Sequence, residues 1–161
     1  MAELTNPMSA MVSFQEAILA GVISLRRAAL DRDVFVHMDK LPSGATRISY
    51  ARMNGRTVLS FANFVSVGFE RSLPVFQVGV AVPESERGKG RAKHIVAVGI
   101  AELKYGLTRA HPDAAFYVEA VIGLDNKASQ RVAAAVISSD APNSITDSAS
   151  GLPALHYIKQ I

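Results

Sequence analysis

Apolar residues first recur at intervals of three and four between Ser13 and Leu30. Phe14, Ala17, Ile18, Gly21, Val22, Leu25, Ala28 and Ala29 fall on one helical face, so the spacing predicts an amphipathic helix. Ser13 and Glu16 stand at capping-box spacing near its start, and Arg26 and Arg27 suit the negative end of its dipole. The period then shortens to that of a strand. VFVHM (Val34 to Met38) reads as a short strand and LPSGA as a turn. ATRISYARM (Ala45 to Met53) alternates, Asn54-Gly55 is a two-residue hairpin signal, and TVLSFANFVSVGF (Thr57 to Phe69) is the returning strand. After the turn ERSLP, VFQVGVAV (Val75 to Val82) is nearly all apolar, as a strand covered on both faces should be.

Beyond ERGKG the helical period returns in Ala92, Ile95, Val96, Gly99, Ile100, Leu103 and Leu107, with Tyr105-Gly106 at the predicted end. AFYVEAVI (Ala115 to Ile122) reads as a strand. Asp125-Asn126 caps a further helix, KASQRVAAAVI, with Ala128, Val132, Ala135 and Val136 inward. SSDAPNSITDSASGLP reads as a polar loop, and ALHYIKQI closes the chain as a strand. No internal repeat is present. The order is helix, three or four antiparallel strands, helix, strand, helix, strand. It predicts a mixed α/β (α+β) fold with one strand–helix–strand crossover between Val80 and Ile122.

Composition narrows the function classes. The 161 residues are 49% hydrophobic and 19% charged, which describes one ordered globular domain. The absence of cysteine excludes a disulfide framework, a zinc ribbon and a thiol nucleophile. A net charge of +3 suits an anionic ligand without demanding nucleic acid. The stretch AILAGVISL (Ala17 to Leu25) is too short to span a bilayer and lacks a preceding basic region, so a cytoplasmic protein is expected. His37, His94, His111 and His156 are scattered without ligand spacing, and no metal is expected.

The chemistry concentrates in ERGKGRAK, where Arg87, Lys89, Arg91 and Lys93 accompany the single carboxylate of Glu86. A glycine-bearing turn between a strand and a helix aims several backbone N–H groups at one point, at the positive end of the helix dipole. Gly88 and Gly90 permit close approach of an anion. A P-loop would need glycine at Pro83 and serine or threonine at Gly90, and the dinucleotide fingerprint would need glycine at Lys93. Neither pattern fits.

Arg87-Gly88-Lys89-Gly90-Arg91-Ala92 does satisfy the pattern Arg or Gln, two residues, Gly, one residue, Gly or Ala. With the preceding VAVP strand, the following helix and the later AVIGLDNKASQRVA (Ala120 to Ala133), it resembles the GNAT (GCN5-related N-acetyltransferase) superfamily. The Ala120-x5-Asn126-x2-Ser129 spacing is especially similar to the branch that acetylates ribosomal-protein N-termini. The resemblance covers Val34 to the C-terminus and implies a central, mostly antiparallel sheet flanked by helices. It implies residues 1–161 as a single acyl-CoA N-acyltransferase domain, with acetyl-CoA or another acyl-CoA as co-substrate. By the same resemblance, backbone N–H groups from Arg87, Gly88, Lys89, Gly90, Arg91 and Ala92 hold the pyrophosphate. Val80, Ala81 and Val82 pair with the pantetheine arm, Asn126 bonds the arm near the thioester, and Ser129 assists. His94 would flank the phosphates.

Acetyl transfer to a primary amine needs a base for the ammonium, donors for the thioester oxyanion and an acid for the thiolate. The family commonly carries a glutamate on the strand before the phosphate loop, but Leu73 to Val82 holds no carboxylate. It often carries a tyrosine seven residues past the asparagine, where this chain has Ala133. Glu119 is the substitute candidate for the base and Tyr157 for the acid. The plainer readings are an ion pair of Glu119 with Arg47 or Arg52, and a core position for Tyr157. Asp140 and Asp147 either attract a cationic acceptor or cap turns. The acceptor is a small-molecule amine, a protein N-terminus or a lysine, and the residues do not choose among these. Self-association as a homodimer is compatible with such a fold, and no interface is legible. Two rival readings are an acyl-CoA-binding protein without useful catalysis and a small basic nucleic-acid-binding module. The second lacks the aromatics that single-strand binders interleave with cations.

Overall fold

The computed structural model describes residues 6–161. Its first helix, α1 (Pro7–Ala20), starts earlier and stops sooner than the hydrophobic period predicts. Asn6 accepts from the N–H of Met8 at 2.9 Å and of Ser9 at 3.4 Å, and Pro7 occupies the first helical position, where a missing N–H costs nothing. Gly21, at φ +68°, ends the helix as its N–H and that of Val22 close on Ile18 and Ala17. Ser13 and Glu16 therefore lie inside α1 rather than at its cap, and Val22, Leu25, Ala28 and Ala29 lie outside it. Arg26 and Arg27 form a two-residue strand, β1 (Arg26–Arg27), instead of a helix end. A left-handed glycine stops a helix even where apolar residues keep their spacing beyond it.

Four antiparallel strands follow: β2 (Val34–Lys40), β3 (Thr46–Asn54), β4 (Thr57–Glu70) and β5 (Leu73–Ala81). The β3–β4 loop is Gly55-Arg56, one residue later than Asn54-Gly55, because Asn54 pairs with Thr57 and Gly55 takes φ +60°. The β4–β5 hairpin turns through Arg71 and Ser72, at φ 48° and 68°, the double left-handed geometry that a tight two-residue hairpin demands. A single 3₁₀ turn (Glu84–Glu86) leads into α2 (Arg91–Ala110), which runs past Tyr105-Gly106. Then come β6 (Tyr117–Gly123), α3 (Lys127–Val136), β7 (Asn143–Thr146) and β8 (Pro153–Gln160). β7 corrects the reading of its stretch as loop alone. Its sequence NSIT has one apolar residue and so no period to detect, yet it pairs antiparallel along β8.

All eight strands form one sheet in the order β1-β2-β3-β4-β5-β6-β8-β7. Each pairing is antiparallel except β5 with β6, which are parallel and joined by the α2 crossover. Strand alternation divides the core between the two faces. On one face Ile95, Val96 and Leu103 of α2 and Ala133 of α3 pack on Tyr50, Ala62, Phe64, Val118 and Ala120. On the other, Ala10, Met11, Phe14 and Ile18 of α1 pack on Ala51, Met53, Phe61 and Ala81. Glu102, buried on α2, accepts from the Ala29 N–H at 3.1 Å and from that of Leu30, tying the β1–β2 connection to the crossover helix.

α2 lies close to β4 because it presents glycine there. A Cβ on Gly99 would stand 2.5 Å from the Phe64 ring and 3.2 Å from that of Tyr50. Gly99→Ala is therefore expected to destabilise the fold by about 2 kcal/mol, although alanine gains about 1 kcal/mol in helix propensity. Chemical denaturation measures this, and an unchanged or raised midpoint contradicts the close packing.

Candidate functional site

β5 and β6 pair at only three positions, Val75–Tyr117, Phe76–Val118 and Gln77–Glu119. Beyond these, Val78 to Ala81 pair only with β4, and Ala120 to Gly123 only with β8. The parted strands open a cleft of about 670 Å³. Four residues of strand at about 3.3 Å each give the slot a length of ~13 Å. Among the described residues, one edge of the β5 main chain faces it without a strand partner, which an extended ligand can supply. Pro7 lines the slot from the α1 side, packed so close to Gly79 that a Cβ there would stand 2.8 Å from both Pro7 Cγ and Asn63 Oδ1.

The slot leads to the head of α2. Gly88 and Gly90 take φ +75° and +74°, and a Cβ on either would meet nothing within 4 Å. Left-handed backbone explains the glycines, and the open side beside them is space for a ligand. None of the six backbone N–H groups from Gly88 to Lys93 has an acceptor among the described residues. The heads of α1 and α3 are instead capped by the side chains of Asn6 and Asn126. Six free donors at the positive end of a 20-residue helix make a seat for an anion.

The cations around this seat are already engaged. Lys89 Nζ lies 3.1 Å and Arg91 Nε 2.7 Å from the same Glu86 oxygen, and Arg87 Nε donates to the Val82 carbonyl at 3.1 Å. Hydrogen bonds from Lys89 first and Arg91 second hold the Glu86 carboxyl below the usual carboxylate range. Glu86 is thus an internal counter-ion at the edge of the cleft. Lys93 on α2 and Arg131 on α3 also line it. Lys93 belongs to the charged ERGKGRAK stretch, whereas Arg131 escaped the sequence reading because it looks like an ordinary polar position on a helix.

On the far wall, Asn126 Oδ1 accepts the Ser129 N–H at 3.1 Å, while the Asn126 amide N–H₂ has no acceptor among the described residues; both residues line the cleft. The structure therefore brings together Val80, Ala81, Val82, Arg87, Gly88, Gly90, Arg91, Ala92, Asn126 and Ser129, while Lys89 falls outside the lining.

The catalytic candidates separate. Glu119 is in register with Gln77 at the last β5–β6 pair, outside the cleft lining, and its Oε2 lies 2.6 Å from His156 Nε2. Its partner is neither Arg47, which pairs with Asp39, nor Arg52, which pairs with Asp31. Tyr157 sits opposite Ala120 and packs in the core under α2 and α3, on the other face from Glu119 and outside the cleft lining. His94 lies 3.3 Å from Arg52 and 3.8 Å from Asp31, away from the expected phosphate position. Asp147 accepts from Ser150 Oγ at 2.8 Å and from the Ala149 N–H at 3.1 Å, bonds that hold its carboxyl low and build the β7–β8 turn. Asp140 does not line the cleft.

No family model matches the sequence, and no curated protein matches it. Solved structures do match. RimJ of Mycobacterium smegmatis, in complex with CoA-disulfide, aligns at TM-score 0.56 and 15% identity over 73% of this chain and 54% of that one. AAC(6')-Ib, in complex with ribostamycin and coenzyme A, aligns at 0.53 and 14% over 70% and 63%. The ribosomal-protein-S5-alanine acetyltransferase of Vibrio fischeri aligns at 0.51 and 15% over 71% and 61%. The chain has the fold of the GNAT acetyltransferases, ribosomal-protein acetyltransferases among them. It spans less than two thirds of the length of each of these three.

If Glu86 competes with an incoming anion, Glu86→Gln will bind inorganic pyrophosphate several-fold more tightly than the wild type. Calorimetry at fixed ionic strength measures it, and an equal or weaker affinity contradicts the counter-ion role.

Proposed function

We propose that this chain is a GNAT-type N-acyltransferase that moves an acetyl group from acetyl-CoA, or a related acyl group, directly to a primary amine. The observation that carries the reading is the junction of two unpaired edges: the free N–H row from Gly88 to Lys93 opens onto the partnerless β5 edge at Val78 to Ala81. A diphosphate joined to an extended amide-bearing arm is complementary to both. The N–H row takes the diphosphate, with Arg91 and Lys93 released toward it. Val78 to Ala81 pair with the arm as an added strand would, and Asn126 donates to an arm carbonyl. A main-chain N–H near Val80 is then placed to stabilise the thioester oxyanion. The whole of 1–161 acts as one acyltransferase domain in this reading.

A second reading, a CoA-binding protein without transfer, has one observation in its favour. Ala133 lines the cleft where relatives often carry a proton-donating tyrosine, and Tyr157 is in the core. A nucleic-acid role draws no such support, since Lys89 and Arg91 face Glu86.

Calorimetry with coenzyme A and thiol release from acetyl-CoA test the proposal, with an alanyl peptide, a lysyl peptide, spermidine and ribostamycin as acceptors. The wild type is expected to bind and to transfer to at least one of them. Gly90→Glu, which sets a carboxylate in the seat of the diphosphate, is expected to lose binding while keeping the native circular dichroism spectrum. Unchanged affinity in Gly90→Glu counts against the seat, and binding without transfer to any acceptor favours the second reading.

A further inference from the structure

We propose that His156, oriented by Glu119, is the group that takes the proton from the acceptor ammonium, which enters from the α1 face of the sheet. The inference rests on the acyltransferase reading and assigns its missing base. Val118, Ala120 and Tyr157 belong to the core under α2 and α3. Glu119 and His156 alternate with them along β6 and β8 and so project from the opposite face. Among the described residues, α1 packs on that face chiefly against β4 and β5. The two side chains lie outside the cleft lining and are 17% and 20% exposed.

Their position along the strands is as telling. Gln77–Glu119 is the last pair before β5 and β6 part. An arm anchored at the head of α2 and running back along Ala81 to Val78 brings its acyl end to this point. The cleft also reaches the same face there, since Pro7, Gly79 and Val121 line it, and Val121 is the residue opposite His156. The neighbouring strands present only neutral groups to the pair, Gln77 on β5 and Asn143 on β7. Gln77 Oε1 is moreover buried without a donor among the described residues, an acceptor dipole that favours a cation nearby.

The chemistry follows from the 2.6 Å contact between His156 Nε2 and Glu119 Oε2. A nitrogen facing a carboxylate carries the proton, so Nδ1 keeps its lone pair. Nδ1 takes one proton from the ammonium, and the imidazolium is held by the carboxylate. The neutral amine then attacks the thioester carbon. The C–N bond forms, the C–S bond breaks, and the sulfur leaves with the bonding pair and takes the second proton shed by the nitrogen. The amide, free CoA thiol and one proton, passed from the imidazolium to solvent, complete the balance. His156 is the catalytic residue and Glu119 positions it.

Two small nucleophiles separate this role from a structural one. Ethylamine is protonated at neutral pH and must lose a proton before attack, whereas hydroxylamine is already neutral. His156→Gln is expected to lower kcat/KM for ethylamine about 100-fold, and to lower it for hydroxylamine about tenfold less, with CoA affinity retained. Glu119→Gln should show the same selectivity in milder form, and Glu119→Asp should restore part of the loss. Equal losses on the two nucleophiles, wild-type rates in both variants, or a wild type that transfers to hydroxylamine but not to ethylamine each overturn the assignment. A wild type that binds CoA yet transfers to neither overturns it too. A wild type that fails to bind CoA removes the acyltransferase reading beneath it.

Discussion

Two neighbouring strands that pair and then part leave main-chain donors and acceptors facing a gap, and a buried gap of that kind demands a partner. β5 and β6 pair through Gln77–Glu119 and no further, and the rest of the molecule is disposed around that parting. β8 takes up the free side of β6 and keeps it extended without β5. α2 begins beyond the open end, so its unsatisfied first turn faces the same space. α1 brings Pro7 against Gly79, where no side chain intervenes, and narrows the slot from the other face. Three separate parts of the chain thus converge on one unpaired backbone edge.

Charge is handled with similar restraint. Three cations packed into a six-residue loop would repel one another, and Glu86 relieves this by holding Lys89 and Arg91 at once. The N–H groups from Gly88 to Lys93 are fixed dipoles that need no counter-ion and have no acceptor among the described residues. At the closed end the disposition reverses, with one carboxylate, one imidazole and a donorless carbonyl oxygen where a cation would arrive. In the proposed acyltransferase reading, these two regions would serve an anionic donor and an ammonium acceptor respectively.

Much of this was legible in the sequence because it is written in short-range patterns. The turn glycines at Gly88 and Gly90, the cap at Asn126, the apolar run of β5 and the crossover order all follow from local chemistry, and the cleft gathers nearly all the residues those patterns single out. What escaped depends on position in space. Asn6-Pro7 and Gly21 bound α1, but an unbroken apolar period beyond Gly21 concealed the stop. β7 has too few apolar residues to declare itself and exists by pairing with β8. Glu119 reads as a lone carboxylate in an apolar run, and only the diagonal across β6 and β8 reveals that its partner is a histidine 37 residues away. Tyr157 and His94 illustrate the converse, since a residue type suited to a role does nothing if the pleat or the helix turns it elsewhere.

A crystal structure with acetyl-CoA bound tests the central claim most directly. The account predicts the diphosphate within hydrogen-bonding distance of the N–H groups between Gly88 and Lys93, and the pantetheine arm lying as an extra strand against Val78 to Ala81. A ligand seated elsewhere, or a cofactor-saturated crystal in which β5 and β6 have closed on each other and left that corner empty, would contradict it.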